Sequence, residues 1–125
     1  MKTALILEDD PVQATHLHSI VEQLGYRVLG PCYNVFEAQT AIDQTTPDFA
    51  ILDYTIGDVT SGPIQKRLAA RNVPFAILTG QLEKVAPKTK AEHVMVIPKP
   101  CDPLGLELAV YKLDRLRQKP RTLNS

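Results

Sequence analysis

Phe49-Ala50-Ile51-Leu52-Asp53 is four apolar residues in a row closed by an acid, and how it is read decides the fold. A strand wetted on one face alternates apolar and polar residues. An unbroken apolar run of this length suits a strand covered on both faces, as in a parallel sheet between helix layers. The pattern recurs at Ala4–Leu7, Phe75–Leu78 and Val94–Ile97, and more weakly at Tyr26–Leu29, where Arg27 interrupts it. Helical spacing fills the intervals. Leu17, Ile20, Val21 and Leu24 repeat on one face, opened by Asp10-Pro11 as N-cap and first helical residue and stopped by Gly25. Asn34 and Glu37 have capping-box spacing ahead of Ala38, Ala41 and Ile42. Gly62-Pro63 introduces Ile64 and Leu68; Asp102-Pro103 introduces Leu106, Ala109, Val110, Leu113 and Leu116. Alternating strands and helices with right-handed crossovers predict an α/β fold, a (βα)5 doubly wound five-stranded parallel sheet of flavodoxin-like order.

The pattern lapses between the fourth and fifth strands. Gln81 to His93 is polar and lysine-rich, with Pro87 at its middle. Proline inside a helix costs about 3 kcal/mol. The expectation is a short or irregular fourth helix ending before Pro87, followed by mobile chain.

With 125 residues, 44% of them hydrophobic, the chain has material for one core. Residues 1–118 read as a single domain and 119–125 as a polar tail. The formal net charge is zero, whereas a protein held to nucleic acid by phosphate neutralisation carries a basic excess. No run has the length of a membrane span, and the N-terminus lacks the pattern of a signal peptide. These features predict a soluble cytoplasmic protein with no membrane insertion and no direct nucleic-acid partner. Cys32 and Cys101 have no metal or redox spacing and read as reduced thiols.

In a doubly wound sheet, ligands bind beyond the C-terminal ends of the strands. Glu8, Asp9 and Asp10 follow the first strand, Asp53 the third, Thr79 the fourth and Lys99 the fifth. Asp48 precedes its strand and belongs to the opposite rim. Several carboxylates brought together repel one another and stay partly protonated unless a cation neutralises them. Hard oxygen ligands suit Mg²⁺. A carboxylate is also a nucleophile toward phosphorus, and the positive charge of Mg²⁺ and of Lys99 would offset repulsion from a phosphoryl group. A Thr79 hydroxyl could then hydrogen-bond the transferred oxygens. Taken singly, each residue has a plainer reading: Asp10 as a helix cap, Asp53 and Thr79 as turn residues, Lys99 as a solvated charge. The placement of all of them on one rim carries the argument. His16 and His18 lie two apart on the first helix, on different faces, and make a poor metal pair.

At this point the chain resembles the response-regulator receiver family (CheY-like) over nearly its whole length. Leu5-Ile6-Leu7-Glu8-Asp9-Asp10 is similar to that family's first strand and acidic pair, and Ile51-Leu52-Asp53-Tyr54 to the segment of its phosphoacceptor. The resemblance implies that Asp53 accepts a phosphoryl group. It implies that Glu8, Asp9, Asp53 and the carbonyl of Thr55 serve a Mg²⁺ ion, and that Thr79 and Lys99 are the assisting hydroxyl and amine. It also implies a cis Lys99-Pro100 bond. Pro74-Phe75, Thr79-Gly80 and the loop from Thr55 to Pro63, with its Gly57, resemble the single-domain receivers of the FAT GUY class; Ile77, Leu78 and Gln81 depart from that signature. Val96 stands where many receivers carry a Tyr or Phe that swings inward on phosphorylation. The expectation is that the response passes instead to the segment Gln81–His93.

The implied function is a single-domain response regulator in a two-component phosphorelay. It would be phosphorylated by a sensor histidine kinase or phosphotransfer protein and would act through contacts with an unknown downstream protein, as a monomer or weak dimer. It would catalyse its own phosphotransfer and dephosphorylation without being a turnover enzyme. The alternative is a phosphorylation-independent pseudo-receiver, an interaction module only. A hydrolase using Asp53 on external substrates would need a second carboxylate close behind it, and Tyr54-Thr55 supplies none.

Overall fold

The structure is a computed structural model that describes residues 2–118 apart from 81–93. Its centre is a five-stranded sheet made of β1 (Thr3–Leu7), β2 (Arg27–Cys32), β3 (Phe49–Asp53), β6 (Phe75–Thr79) and β7 (Val94–Pro98). The order is β2-β1-β3-β6-β7, every pairing is parallel, and the order reverses on either side of β1. A two-stranded antiparallel hairpin, β4 (Thr55–Ile56) and β5 (Val59–Thr60), leaves the sheet just after β3. The described helices are α1 (Pro11–Gln23), α2 (Val35–Gln44), α3 (Gly62–Ala70) and α4 (Pro103–Gln118).

β3 and β6 are buried at every position, as their unbroken apolar runs require. Alternate side chains feed two cores. Leu5, Leu7, Ala50, Leu52 and Ile77 meet α2 and α3 on one face. Ala4, Ile6, Phe49, Ile51 and Leu78 meet α1 and α4 on the other. The helix ends follow the sequence reading. Asp10 caps α1, its Oδ1 accepting the Val12 N–H at 3.0 Å, and Gly25 stops the chain at φ +98°. Asn34 accepts the Glu37 N–H at 2.8 Å. The return half of the capping box is displaced, because Glu37 Oε1 takes the N–H of Tyr33 at 2.8 Å rather than that of Asn34.

Two features depart from the sequence reading. β2 starts at Arg27, not Tyr26, and runs on to Cys32. It is an edge strand with most of its positions wetted, so it does not announce itself by an apolar run. Its register against β1 slips between Leu5 and Leu7, where Gly30-Pro31 inserts one extra residue as a bulge. Gly30 sits at φ +110°, and a Cβ there would collide with the backbone nitrogen of Cys32. The second departure is the β4–β5 hairpin inside what reads as a loop; Gly57 at φ +65° supplies its turn. Lys99-Pro100 is cis, as the resemblance implies, and Gly30-Pro31 is cis as well. The expected irregular helix and mobile chain at 81–93, and the tail at 119–125, lie outside the described residues. Among the described residues no helix is long and apolar enough to cross a membrane. Cys32 is buried, Cys101 is half-buried, and both are free thiols.

Candidate functional site

The ends of β1, β3, β6 and β7 deliver Glu8, Asp53, Thr79 and Lys99 to one rim of the sheet. Glu8, Asp53 and Thr79 are 1%, 7% and 3% exposed, so three polar side chains are buried where the core ends. Each follows a strand whose register is locked by neighbours on both sides: Asp53 stands opposite Leu78, and Thr79 opposite Pro98. Backbone bonds hold the rim together. The Tyr54 N–H reaches Leu78 O at 2.9 Å, and the Lys99 N–H reaches Thr79 O at 2.9 Å.

Lys99 Nζ lies 2.9 Å from Asp53 Oδ1 and 3.6 Å from Glu8 Oε1. Burial alone would pull its pKa down; the adjacent Asp53 and Glu8 carboxylates outweigh that and raise it. The ammonium therefore stays charged. Glu8 is in the opposite position. Burial pushes its carboxyl up to about 7, the charge of Asp53 adds to the rise, and the N–H of Asp10 and Lys99 pull against it. Its Oε2 accepts that N–H at 3.2 Å, while the buried Oε1 has no hydrogen-bond partner. Asp9 is exposed and turned toward the hairpin, where its Oδ2 accepts the Gly57 N–H at 2.8 Å.

Glu8, Asp9 and Asp53 each offer a carboxylate oxygen, and these oxygens all lie within 4.8 Å of one another. Three carboxylates against one lysine leave excess negative charge at close quarters. The acidic cluster therefore fits a hard divalent cation, and the orphaned Glu8 Oε1 is the specific polar atom that a cation or its water would satisfy. Thr55 is exposed at the head of the hairpin and lines the same cleft as Asp53. Asp53, Tyr54, Thr55, Thr79, Gly80 and Lys99 line an open cleft of about 340 Å³ over the nucleophile candidate.

The remaining candidates are not brought together with these. Asp10 caps α1, as its plainer reading has it. Asp48 lies on the opposite rim, accepting the Thr3 N–H at 2.8 Å. His16 is exposed, and His18 faces Glu22 one turn on at 3.4 Å. His93 lies outside the described residues. Sequence reasoning left two contributions unassigned. Gly57, legible only as a member of the Thr55–Pro63 loop, orients Asp9 through its backbone N–H. A second, apolar cleft of about 490 Å³ borders Lys99, lined by Val12, His16 and Leu17 from α1 and by Pro100, Cys101 and Leu106. Nothing in the linear pattern sets α1 beside the loop after β7.

Comparison with known proteins agrees with this geometry. The sequence profile of the response regulator receiver domain matches residues 4–111. The phyllosphere-induced regulator PhyR of Methylorubrum extorquens is 28% identical over 120 residues, which are 94% of this chain and 45% of that protein. The chain thus spans less than half the length of that relative. The solution structure of SdrG from Sphingomonas melonis Fr1 superposes with a TM-score of 0.75 at 30% identity, covering 90% of this chain and 96% of that one. The receiver domain of PhyR from Erythrobacter litoralis superposes at 0.84 with 19% identity, over 98% and 96% of the two chains, a likeness of fold. With a five-stranded parallel sheet of order β2-β1-β3-β6-β7, an acidic cluster at its C-terminal rim and a profile match across most of its length, this chain belongs to the response regulator receiver domain family.

Proposed function

We propose that this chain is a phospho-accepting signalling module: Asp53 takes a phosphoryl group from the phosphohistidine of a sensor kinase or phosphotransfer protein, and output runs through protein–protein contacts. The observation that carries the reading is Asp53 itself, a nearly buried carboxylate with one oxygen held by Lys99 at 2.9 Å under a cleft open to solvent. A carboxylate oxygen attacks phosphorus, the P–N bond breaks, and the imidazole leaves with the electron pair and takes up a proton from water. Lys99 anchors the nucleophile and offers its charge to the incoming oxygens. The Thr79 hydroxyl, at the cleft wall, donates to one of them. Glu8, Asp9, Asp53 and the Thr55 carbonyl would hold Mg²⁺, which supplies charge against the repulsion between carboxylate and phosphoryl group. The protein turns over only its own acyl phosphate.

The apolar cleft beside Lys99 suits the phosphodonor. Val12 at its mouth is 78% exposed, an apolar side chain that contact with a partner would cover. A role in stress signalling, with membership of the FAT GUY class, is supported by likeness to the PhyR stress response regulator, 26% identical with a TM-score of 0.77. The second reading, a phosphorylation-independent receiver, draws on Val96. It is half-buried in β7 and packs against the core shared with α2 and α3, which leaves no aromatic rotor at that position.

Intact mass of wild type and Asp53→Asn, incubated with acetyl phosphate and Mg²⁺ and then with phosphorylated kinase, separates the two. One phosphoryl group gained by wild type alone, and lost on chelation, is the expected result. No gain from either donor by a folded protein would leave the interaction module standing.

A further inference from the structure

The β4–β5 hairpin pairs only Thr55 with Thr60 and Ile56 with Val59, too little to hold its shape unaided in water. It is held from outside. Ile56 is buried in the core shared with α2 and α3. At the base, the buried Ser61 donates its N–H to the Tyr54 carbonyl at 2.9 Å, closing the loop directly after Asp53. At the tip, the Gly57 N–H reaches Asp9 Oδ2 at 2.8 Å, 48 residues back in the chain. The hairpin thus ties the end of β3 to the loop after β1, and the outer tie falls on a carboxylate of the acidic cluster.

That tie restricts Asp9 without using it up. A carboxylate has two oxygens and about four lone-pair sites, so one hydrogen bond at Oδ2 leaves room for a cation. A free, exposed aspartate spreads over its rotamers, and binding an ion then costs the entropy of fixing it. Partners that hold a ligating side chain in place are commonly worth about 10- to 100-fold in metal affinity. The N–H meets Asp9 with residue 57 in the left-handed region, at φ +65°. A Cβ there would touch nothing within 4 Å, so backbone conformation, not crowding, is what the position demands of its residue.

We propose that Gly57 is a positioning residue for the metal: its N–H presets Asp9 to complete a cation site with Glu8 and Asp53, so that ion and hairpin stabilise each other. The inference rests on the reading of the acidic cluster as a Mg²⁺ site. Coupling of this kind is reciprocal: whatever the hairpin adds to the ion's affinity, the ion adds to the hairpin's stability. The bond between Gly57 and Asp9 therefore opens less often when the site is filled.

Amide NMR of the full chain, titrated with magnesium chloride, reads both sides of the coupling. Wild type should saturate, and hydrogen exchange of the Gly57 amide should slow as it does. Gly57→Val, whose β-branched side chain avoids that φ, should weaken Mg²⁺ binding about 10- to 100-fold. Gly57→Asn, which tolerates the left-handed region, should recover most of the affinity. Gly25→Val controls for lost stability alone. Gly25 ends α1 on the opposite rim at φ +98° and is equally clear of neighbours. That variant should lower the urea midpoint as Gly57→Val does and bind Mg²⁺ like wild type. Undiminished affinity in Gly57→Val, an equal loss in Gly25→Val, or Gly57 exchange that quickens when Mg²⁺ binds overturns the proposal while the metal reading stands. A folded wild type that binds no Mg²⁺ overturns the metal reading itself, and this inference with it.

Discussion

The two rims of the sheet both carry buried or half-buried acids beside a lysine, and they treat them oppositely. At the N-terminal rim each oxygen of Asp114 has its own donor: Lys2 Nζ at 2.7 Å and the Tyr26 hydroxyl at 2.6 Å. Tyr26 is pinned edge-on against Phe49 at 5.1 Å, and burial together with Asp114 pushes its pKa to about 12. At the C-terminal rim Glu8 and Asp53 share one lysine, with Asp9 close by, and Glu8 Oε1 has no hydrogen bond. The first arrangement closes the fold, tying α4 to the starts of β1 and β2. The second leaves negative charge under-compensated where the strands end. Polar residues buried at both ends of one sheet thus separate into structure and function by whether their partners are already supplied.

Four experiments press on that contrast. Lys99→Met removes the one ammonium that the cluster has among the described residues. Phosphoryl uptake by Asp53 should slow by two to three orders of magnitude, roughly the effect of losing a preorganised charge donor; rates followed by intact mass would check it, and an unchanged rate would deny Lys99 its role.

The next effect is one of pH. Glu8 titrates at about 7 in the folded protein against 4.5 for an ordinary glutamate, so the folded state holds a proton that the unfolded state has lost. The stability this contributes is fully present below about pH 4.5 and is lost as pH rises toward 7, by up to about 3 kcal/mol. Urea unfolding across pH 4.5–7 should show that decline, Glu8→Gln should flatten it, and Mg²⁺ should oppose it by favouring the ionised form. A profile unaltered in Glu8→Gln would place the charge strain elsewhere.

At the opposite rim, Asp114→Ala should cost about 2 kcal/mol by stranding the Tyr26 hydroxyl and the Lys2 ammonium. Phosphoryl uptake should be untouched. Activity lost in step with stability would mean that the two rims are not separable.

The smallest effect tests whether every polar group on the functional rim is functional. Asn34 caps α2 on that rim, accepting the Glu37 N–H at 2.8 Å. Asn34→Ala should cost about 1 kcal/mol in thermal or urea unfolding and leave the chemistry alone.

The contrast also shows why some of this could be read from the chain and some could not. β3 and β6 were legible because burial on both faces demands an unbroken apolar run, and Asp53 and Thr79 were legible because they close such runs. β2 was legible only in part. Half wetted and interrupted by Arg27 and Gly30-Pro31, it owes its extent to pairing with β1. The β4–β5 hairpin has two-residue strands, too short for any periodicity to register.

By itself, the sequence determined the fold class, the rim on which the acids gather and the chemistry that such residue types allow, because buried-strand runs, helical spacing and the polar residues that close the strands are local patterns. Tertiary structure alone decided how those charges are balanced. The 2.9 Å contact of Lys99 with Asp53, the orphaned Glu8 Oε1 and the hold of Gly57 on Asp9 all depend on distances between segments remote in the chain. Hydrogen bonding and desolvation are set by those distances, and no linear pattern encodes them.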